Sequence, residues 1–300
     1  MGDNPVKEVQ KVKSVWARHE TFHPRYGWLK KGFDLARENP KIFTSETATV
    51  QLGVGKNMVK AIRYWCGAFK VLENDSPTDF GSLLLEDQGY DPYLENPASL
   101  WLLHWYLLKP PCEATAWYYV FNRFRGVEFS VEELTRGLQS YQRELSQSTA
   151  ASSIDKDVTC ILRMYVEPKW VTGLLEDSLD CPFKELGLIQ SIGGESKRYT
   201  FRVGFKRNLP PEIIIVTCLE YASCNDNNAR TIGISRLLYD EGSPGMVFKL
   251  SQEALCDAIE KVAREYNRIN LSDTAGLIQL SFNADPEVLA RDILEQYYSG

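Results

Sequence analysis

The sequence predicts a mainly α-helical protein built from tandem winged helix-turn-helix units with short β-hairpin wings. Near the N-terminus, VQLGVGKNMVKAIRYWCGAFKVLE at 50–73 is typical of two helices joined by a glycine corner. The clearest hairpin pattern, LGLIQSIGGESKRYTFRVG at 186–204, follows a second pair of helical patterns. A third helix pair precedes another hairpin pattern near the C-terminus. These three units predict domains at 1–125, 126–209 and 210–300.

The first unit is predicted from helical spacing and from its glycines. Apolar residues recur at helical spacing over 26–39, and a second, shorter helix is expected at 47–52. Gly53 and Gly55 permit a tight corner because glycine accepts positive φ at little cost. From Lys56 onward, apolar residues recur every three or four positions and predict one buried helix face. That face comprises Met58, Val59, Ile62, Trp65, Cys66 and Phe69.

The remaining elements follow in order along the chain. NPASLWLLHWYLL at 96–108 is apolar throughout, which predicts a core helix. The segment 166–181 is predicted to be a loop insertion, and EIIIVTCLEYA a helix. EGSPGMVFKL at 241–250 is predicted to be a structured turn between two helices. Further helices are predicted at 115–124, 131–145, 154–166, 231–240, 251–266 and 285–298, with a possible wing at 269–282.

Charge is distributed unevenly along the chain. The net charge of −6 argues against a protein that coats nucleic acid by bulk attraction. Residues 21–70, however, carry nine lysines and arginines against three acids, a net charge of +6. Residues 71–100 carry seven acids and no lysine or arginine. A basic N-terminal module therefore adjoins an acidic segment.

The cysteines and the apolar runs indicate the cellular compartment in which the protein is expected. Seven cysteines, widely spaced and without a C-x-x-C pair, predict reduced and mostly buried thiols in a cytoplasmic protein. No apolar run approaches the roughly 18 residues of a membrane span. The N-terminus has no apolar signal region. We therefore expect a cytoplasmic protein with no membrane contact.

A search for catalytic motifs gives nothing positive. GVGKN lacks the first glycine of a phosphate-binding loop and the hydroxyl residue that follows its lysine. The three histidines have no zinc spacing, and His104, between Leu103 and Trp105, is expected to be a core histidine. We predict no catalytic residue, no metal site, no cofactor and no enzymatic activity. A nuclease with a metal site assembled from carboxylates of several domains remains an alternative.

Polar residues around the second helix of the first unit predict contact with DNA. In a helix-turn-helix, the second helix enters the major groove, where Lys and Arg meet phosphates and an Asn can reach an adenine edge. A winged helix used for protein contact, or a plain core helix, would give the same pattern. The predicted contacts on the helix are Lys56, Asn57, Lys60, Arg63 and Tyr64. The predicted phosphate contacts are Arg25, Lys30 and Lys31 beside it, and Lys197, Arg198 and Arg202 on the hairpin.

Several stretches together resemble a bacterial family catalogued as the domain of unknown function number four thousand and seven. The resemblance extends over about residues 20–298 and is carried by six segments in the same order. These are TFHPRYGWLKKG, LGVGKNMVKAIRYWC, TDFGSLLL, GYDPYLENPASLWLLHW, DCPFKELGLI and EGSPGMVFKL. The resemblance implies genes for phosphoadenosine-phosphosulfate-reductase-like proteins nearby, and hence a role in DNA phosphorothioation or phage defence.

Together these observations predict a non-catalytic accessory protein of a DNA-modification or phage-defence system that binds double-stranded DNA, either plain or modified. A phosphoadenosine-phosphosulfate-reductase-like protein is the expected protein partner. The alternative is an adaptor that holds a sulfurtransferase-like or ATPase partner without touching DNA. In that case the acidic segment 71–100, with Tyr90 and Tyr93, would form the contact surface.

Overall fold

The fold is mainly helical, with small antiparallel sheets. A computed structural model describes residues 12–146, 149–167, 181–193, 197–225, 230–274 and 276–300. The helices in the first part of the chain are α1 (Trp28–Glu38), α2 (Ala48–Leu52), α3 (Lys56–Ala68), α4 (Asp79–Leu85), α5 (Pro97–Leu108) and α6 (Thr115–Tyr118). Those that follow are α7 (Val131–Glu144), α8 (Ala151–Tyr165), α9 (Pro211–Asn225), α10 (Ile234–Tyr239), α11 (Pro244–Phe248), α12 (Gln252–Glu265) and α13 (Pro286–Ser299).

The strands form one two-stranded and two three-stranded antiparallel sheets within the described residues. They are β1 (Leu72–Glu73), β2 (Ser76–Pro77), β3 (Glu128–Phe129), β4 (Ile189–Ile192), β5 (Arg198–Phe201), β6 (Thr231–Gly233), β7 (Ile269–Thr274) and β8 (Leu277–Phe282). The first hairpin, β1–β2, follows α3 directly. The larger sheets have the orders β3–β5–β4 and β6–β8–β7, so in each a strand that precedes a group of helices pairs with the second strand of the hairpin that follows them.

Local sequence signals explain where several helices begin. Ser130 and Glu133 form a capping box at the start of α7, with each side chain bonded to the other residue's backbone N–H. Asp285 accepts hydrogen bonds from the first turn of α13. Asn96 accepts from Ala98 N–H at the start of α5. These caps satisfy backbone donors that have no partner inside their own helix.

Buried aromatic rings fill much of the core. The largest fully buried side chains include Trp65, Trp101, Trp105, Trp117 and Tyr165. Close packing of α1 on α3 requires glycine at position 32, since an added Cβ would lie 2.6 Å from Cys66 Sγ and 2.8 Å from Ile62 Cγ2. The core is therefore continuous from the first helices to the last.

His104 is a core histidine, as the sequence predicts. Its Nε2–H donates to Val247 O over 3.0 Å, and its Nδ1 accepts from the Tyr165 hydroxyl over 2.8 Å. Burial lowers the pKa of His104 to about 3, so the ring is neutral at neutral pH. Because its partners lie on α8 and near the end of α11, His104 connects three separate segments of the chain.

Most element predictions are confirmed, and two are wrong. The helix over EIIIVTCLEYA is confirmed as part of α9. EGSPGMVFKL is not a turn: it contains the short helix α11, whose first turn is capped by the Ser243 hydroxyl. TIGISRLLYD is not helical throughout, because its first three residues form β6. Most of the predicted 166–181 loop, residues 168–180, lies outside the described residues.

The prediction of mostly buried free thiols is confirmed. All seven cysteines are free thiols, and five of them are buried. Burial raises the pKa of the Cys66 and Cys218 thiols. Across the part of the chain that the structure describes, each helix is too short or too polar to cross a membrane.

Candidate nucleic-acid interface

The turn between α2 and α3 follows from its two glycines. Gly53 has a φ of +64°, and its N–H closes the end of α2 by donating to Thr49 O and Val50 O. Gly55 is extended, and α3 begins at the next residue. Leu52 and Val59 are buried on either side of the corner. This geometry fixes the direction in which α3 leaves the turn.

The polar residues of α3 form an exposed face opposite its buried one. Lys56, Asn57, Lys60 and Arg63 are all exposed. Lys56, Lys60 and Arg63 are spaced by four and three residues, which places them on one side of the helix. In the described ranges, no ion pair involves Lys56. The predicted exposed cationic face is therefore present.

Two cations of this face are paired with acids. The Lys60 ammonium lies 3.2 Å from Glu20 Oε1, in a pair whose lysine side chain is 61% exposed. Such an exposed pair contributes about 0–1 kcal/mol and is easily exchanged for another anion. The Arg63 guanidinium forms a two-pronged contact with Asp75, with N···O distances of 2.8 and 2.6 Å. Arg63 thus fastens the β1–β2 hairpin to α3.

Tyr64 lies behind the exposed face. Its side chain is half-buried, with its ring centroid 4.9 Å from that of Trp65. The hydroxyl donates to Glu113 O over 3.3 Å. Burial raises the pKa of Tyr64 well above its ordinary value. Its position suits a packing role better than a contact with a duplex.

The three basic residues on and before α1 occupy different surroundings. Lys30 is 9% exposed, and its ammonium donates to Asp34, Asp87 and Leu85 O. The adjacent Lys31 is exposed, and its ammonium donates to Leu52 O over 3.2 Å. Arg25 lies over the ring of Trp28 at 5.5 Å. We therefore retain Lys31 in the candidate interface and leave Lys30 out, because its charge is neutralised inside the protein.

The basic residues of the second hairpin are separate from α3 in sequence and largely compensated. Arg198 lies 3.5 Å from a Glu133 carboxylate oxygen and donates to Glu128 O over 3.2 Å. Arg202 lies 4.0 Å from Glu167. Lys197 is exposed near the end of the hairpin. Among the described residues of this hairpin, no ion pair involves Lys197.

A buried histidine–aspartate pair supports α3 from behind. His19 Nε2 lies 2.7 Å from Asp157 Oδ1, and both side chains are almost completely buried. Because Thr21 N–H donates to His19 Nδ1 over 3.2 Å, the hydrogen of the ring lies on Nε2, which donates to the carboxylate. The ring packs against Trp65 of α3, and Asp157 also accepts from Ala17 N–H over 3.0 Å. Burial raises the pKa of Asp157.

This pair was not predicted from the sequence, because its members are 138 residues apart. A lone histidine near the N-terminus and an aspartate in a helical pattern carry no mark of their contact.

Within the described residues, no group of three or more His, Cys, Asp or Glu side chains is arranged to hold a metal ion. The described residues therefore show an exposed cationic helix face and no preformed metal cage.

Fold and site thus define a helical protein with small antiparallel sheets and an exposed cationic helix after a glycine corner. The sequence profile of the family described as "Protein of unknown function (DUF4007)" matches residues 16–298. The chain belongs to this family.

Two solved structures have closely similar folds. A crystal structure of magnesium ion-bound SspB has 38% sequence identity and a TM-score of 0.90, covering 97% of this chain and 90% of the SspB chain. A crystal structure of SspB has 39% identity and a TM-score of 0.89 at the same coverage. No curated protein sequence matches the chain.

Proposed function

We propose that this chain is a non-catalytic DNA-binding accessory protein of a DNA-modification or phage-defence system. The observation that carries the proposal is the exposed face of α3, with Lys56, Asn57 and Lys60 beside the Gly53–Gly55 corner. Phosphate contacts would supply affinity, and Asn57, in the first turn of α3, is the residue that can address a base edge.

The proposal includes tandem winged-helix units. The order of the strands in the two three-stranded sheets supports this part of the proposal. In a winged helix, the strand before the helix pair lies next to the second strand of the wing. Both β3–β5–β4 and β6–β8–β7 have this strand order, with three helices, α10 to α12, between β6 and β7. The first unit has the helix pair α2–α3 followed by the short β1–β2 hairpin. A second helix that is exposed on one face is the element such units present to DNA.

We assign the roles within the interface from the observed contacts. Lys56, Lys60 and Lys31 would meet phosphates, and Arg63 would hold the β1–β2 hairpin in place. The Lys60–Glu20 pair opposes binding little, because an exposed pair is weak and a phosphate replaces the carboxylate. Arg63 is different, since its departure would leave the 18%-exposed Asp75 carboxylate without its partner. Lys197 is a candidate phosphate contact on the second hairpin.

The proposal is tested by titrating the full-length protein into plain and phosphorothioated duplexes over a series of salt concentrations. We expect the logarithm of the association constant to fall with the logarithm of salt concentration with a slope of roughly −3, for about three neutralised phosphates. Tighter binding to the sulfur-bearing duplex would make the protein a reader of the modification. Absence of binding at low salt would reject the proposal.

The adaptor alternative is favoured by one observation: Tyr93 is 70% exposed in the acidic segment. Exposed aromatic residues are enriched in protein interfaces. Tyr90, in contrast, stacks on Tyr298 with ring centroids 4.7 Å apart, so it is already engaged within the chain. Co-purification of a phosphoadenosine-phosphosulfate-reductase-like or ATPase protein after nuclease treatment, without DNA binding, would favour this alternative.

The magnesium ion of the SspB relative supports a second candidate function, metal-dependent cleavage of DNA. The described residues of this chain do not form a three-ligand site for the ion. Magnesium commonly retains several waters and binds through one or two carboxylates. The described residues therefore provide no cage for the ion, but they are compatible with a contact through one or two carboxylates. Incubation of supercoiled plasmid with the protein and Mg²⁺, with and without EDTA, distinguishes DNA cleavage from non-catalytic binding. Nicking that EDTA abolishes would establish cleavage and reject the non-catalytic proposal.

A further inference from the structure

A surface cleft of about 570 Å³ lies between α1, the end of α2 and the loop that precedes α5. Its volume falls within the roughly 300–1,000 Å³ typical of sites for small ligands. Two tyrosines, a lysine, an amide and a carboxylate contribute to its wall: Tyr26, Tyr93, Lys31, Gln51 and Asp87. Flat rings together with a few polar groups are the composition of a site that takes a flat polar ligand.

Tyr93 is displayed on a loop that internal hydrogen bonds hold in place. The neighbouring Asp91 is 8% exposed and accepts from Glu95 N–H and Asn96 N–H, each over 2.9 Å, and from the Ser99 hydroxyl over 2.6 Å. Tyr93 itself is 70% exposed. Because the loop that carries Tyr93 is held in this way, its backbone loses little conformational freedom on binding, which favours stacking of the ring with a ligand.

A second ring and two polar groups complete the cleft. Tyr26 is 47% exposed, and its hydroxyl donates to Glu185, which fixes the ring at the edge of α1. The Gln51 amide can donate and accept hydrogen bonds, and the Asp87 carboxylate can accept from an exocyclic amino group. Lys30 pairs with Asp34 and Asp87, whereas Lys31 has no carboxylate partner among the residues that the structure describes.

The cleft adjoins the proposed DNA-binding helix. Lys31 donates to Leu52 O, directly before the Gly53–Gly55 corner from which α3 begins. A strand whose phosphates contact Lys31 and Lys56 would therefore pass the opening of the cleft. We propose that the cleft receives one unpaired nucleobase of the bound DNA, stacked on Tyr93 with its phosphate at Lys31. This inference rests on the proposed function.

The test compares a fully paired duplex with the same duplex carrying one bulged adenine. Affinities of the full-length protein are measured for wild type, Tyr93→Ala, Tyr93→Phe and Tyr239→Ala. Removal of a ring that stacks on a base costs about tenfold or more in affinity. We expect wild type and Tyr93→Phe to bind the bulged duplex about tenfold more tightly than the paired one, and Tyr93→Ala to bind both equally. Tyr239, 66% exposed on α10, is the matched control and should behave as wild type.

The outcomes separate this inference from the proposed function. Salt-dependent binding of both duplexes with equal affinity, unchanged by Tyr93→Ala, would overturn the nucleobase site and leave the duplex interface standing. Unchanged DNA binding together with loss of a co-purifying protein in Tyr93→Ala would assign the cleft to a peptide and also overturn the inference. Failure to bind either duplex would reject both proposals.

Discussion

Asp157→Ala is expected to lower the free energy of unfolding by about 2–6 kcal/mol, because it leaves two donors without their acceptor and each such loss costs about 1–3 kcal/mol. The substitution removes the acceptor of His19 Nε2–H, 2.7 Å away, and of Ala17 N–H, 3.0 Å away. The His19 donor would remain in an interior from which water is excluded, and the partly buried Ala17 N–H would also lose its acceptor. The N-terminal segment would also lose the contact that fastens it to α8.

Urea unfolding followed by tryptophan fluorescence measures this effect, since the His19 ring packs against Trp65 and Trp117. Asp155→Ala is the matched control, because Asp155 lies on the same helix but is exposed. It should change stability by no more than about 0.5 kcal/mol. A double-mutant cycle with His19→Ala should give a coupling energy of about 1–3 kcal/mol. Equal stabilities of the Asp157 and Asp155 variants would contradict the structural role of the pair.

Two glycine-to-alanine substitutions are expected to change stability in opposite directions. A Cβ added at Gly81, in the first turn of α4, would lie 2.1 Å from Val71 O. The backbone of the β1 region would have to move, so we expect Gly81→Ala to destabilise by about 1–3 kcal/mol or more. A Cβ at Gly67 of α3 meets no atom within 4 Å, and alanine is the better helix former. Gly67→Ala should therefore stabilise by about 0.5–1 kcal/mol.

Thermal unfolding of the two variants beside wild type provides the measurement. The melting temperature should fall for Gly81→Ala and rise for Gly67→Ala. Because the two changes have opposite signs, a general effect of the added methyl group would be excluded. An unchanged melting temperature for Gly81→Ala would show that α4 does not pack against the backbone of Val71 as closely as described. Because the β1–β2 hairpin is also fastened to α3 through Arg63, loss of this packing would extend to the candidate interface.

The periodicity of long helices made much of the fold predictable. The buried positions of α3 follow the three- and four-residue spacing that the sequence displays. The hairpin of β4 and β5 was predicted from its alternation and its glycines. Shorter elements were missed for a physical reason: α11 has five residues and β6 three, too few to display a period.

The site was predictable only in part, because exposure follows local pattern whereas pairing depends on distant residues. The exposure of Lys56 and Lys60 could be predicted from the helix face they share. The acids that pair with the cations could not be predicted, because they are distant in sequence: Glu20 lies 40 residues from Lys60, and Asp87 lies 57 residues from Lys30. Adjacent lysines on α1 consequently have opposite surroundings, with Lys30 buried and Lys31 exposed.

The resulting cationic surface is smaller than the +6 charge of residues 21–70 predicts. Much of that charge is used in structural contacts, as at Lys30 and Arg63. An interface of a few cations would bind DNA moderately and with a shallow dependence on salt concentration. It also agrees with an overall acidic chain, whose net charge is −6.

The most direct test of the central claim compares the salt dependence of duplex binding for wild type, Lys60→Glu and Lys261→Glu. The two lysines are matched: their side chains are 61% and 51% exposed, and each is paired with one acid. If α3 contacts DNA, Lys60→Glu will weaken binding to all sequences and reduce the magnitude of the salt slope by roughly one, whereas Lys261→Glu will leave both unchanged. Identical affinities and slopes for Lys60→Glu and wild type would contradict the claim and remove α3 from the DNA interface.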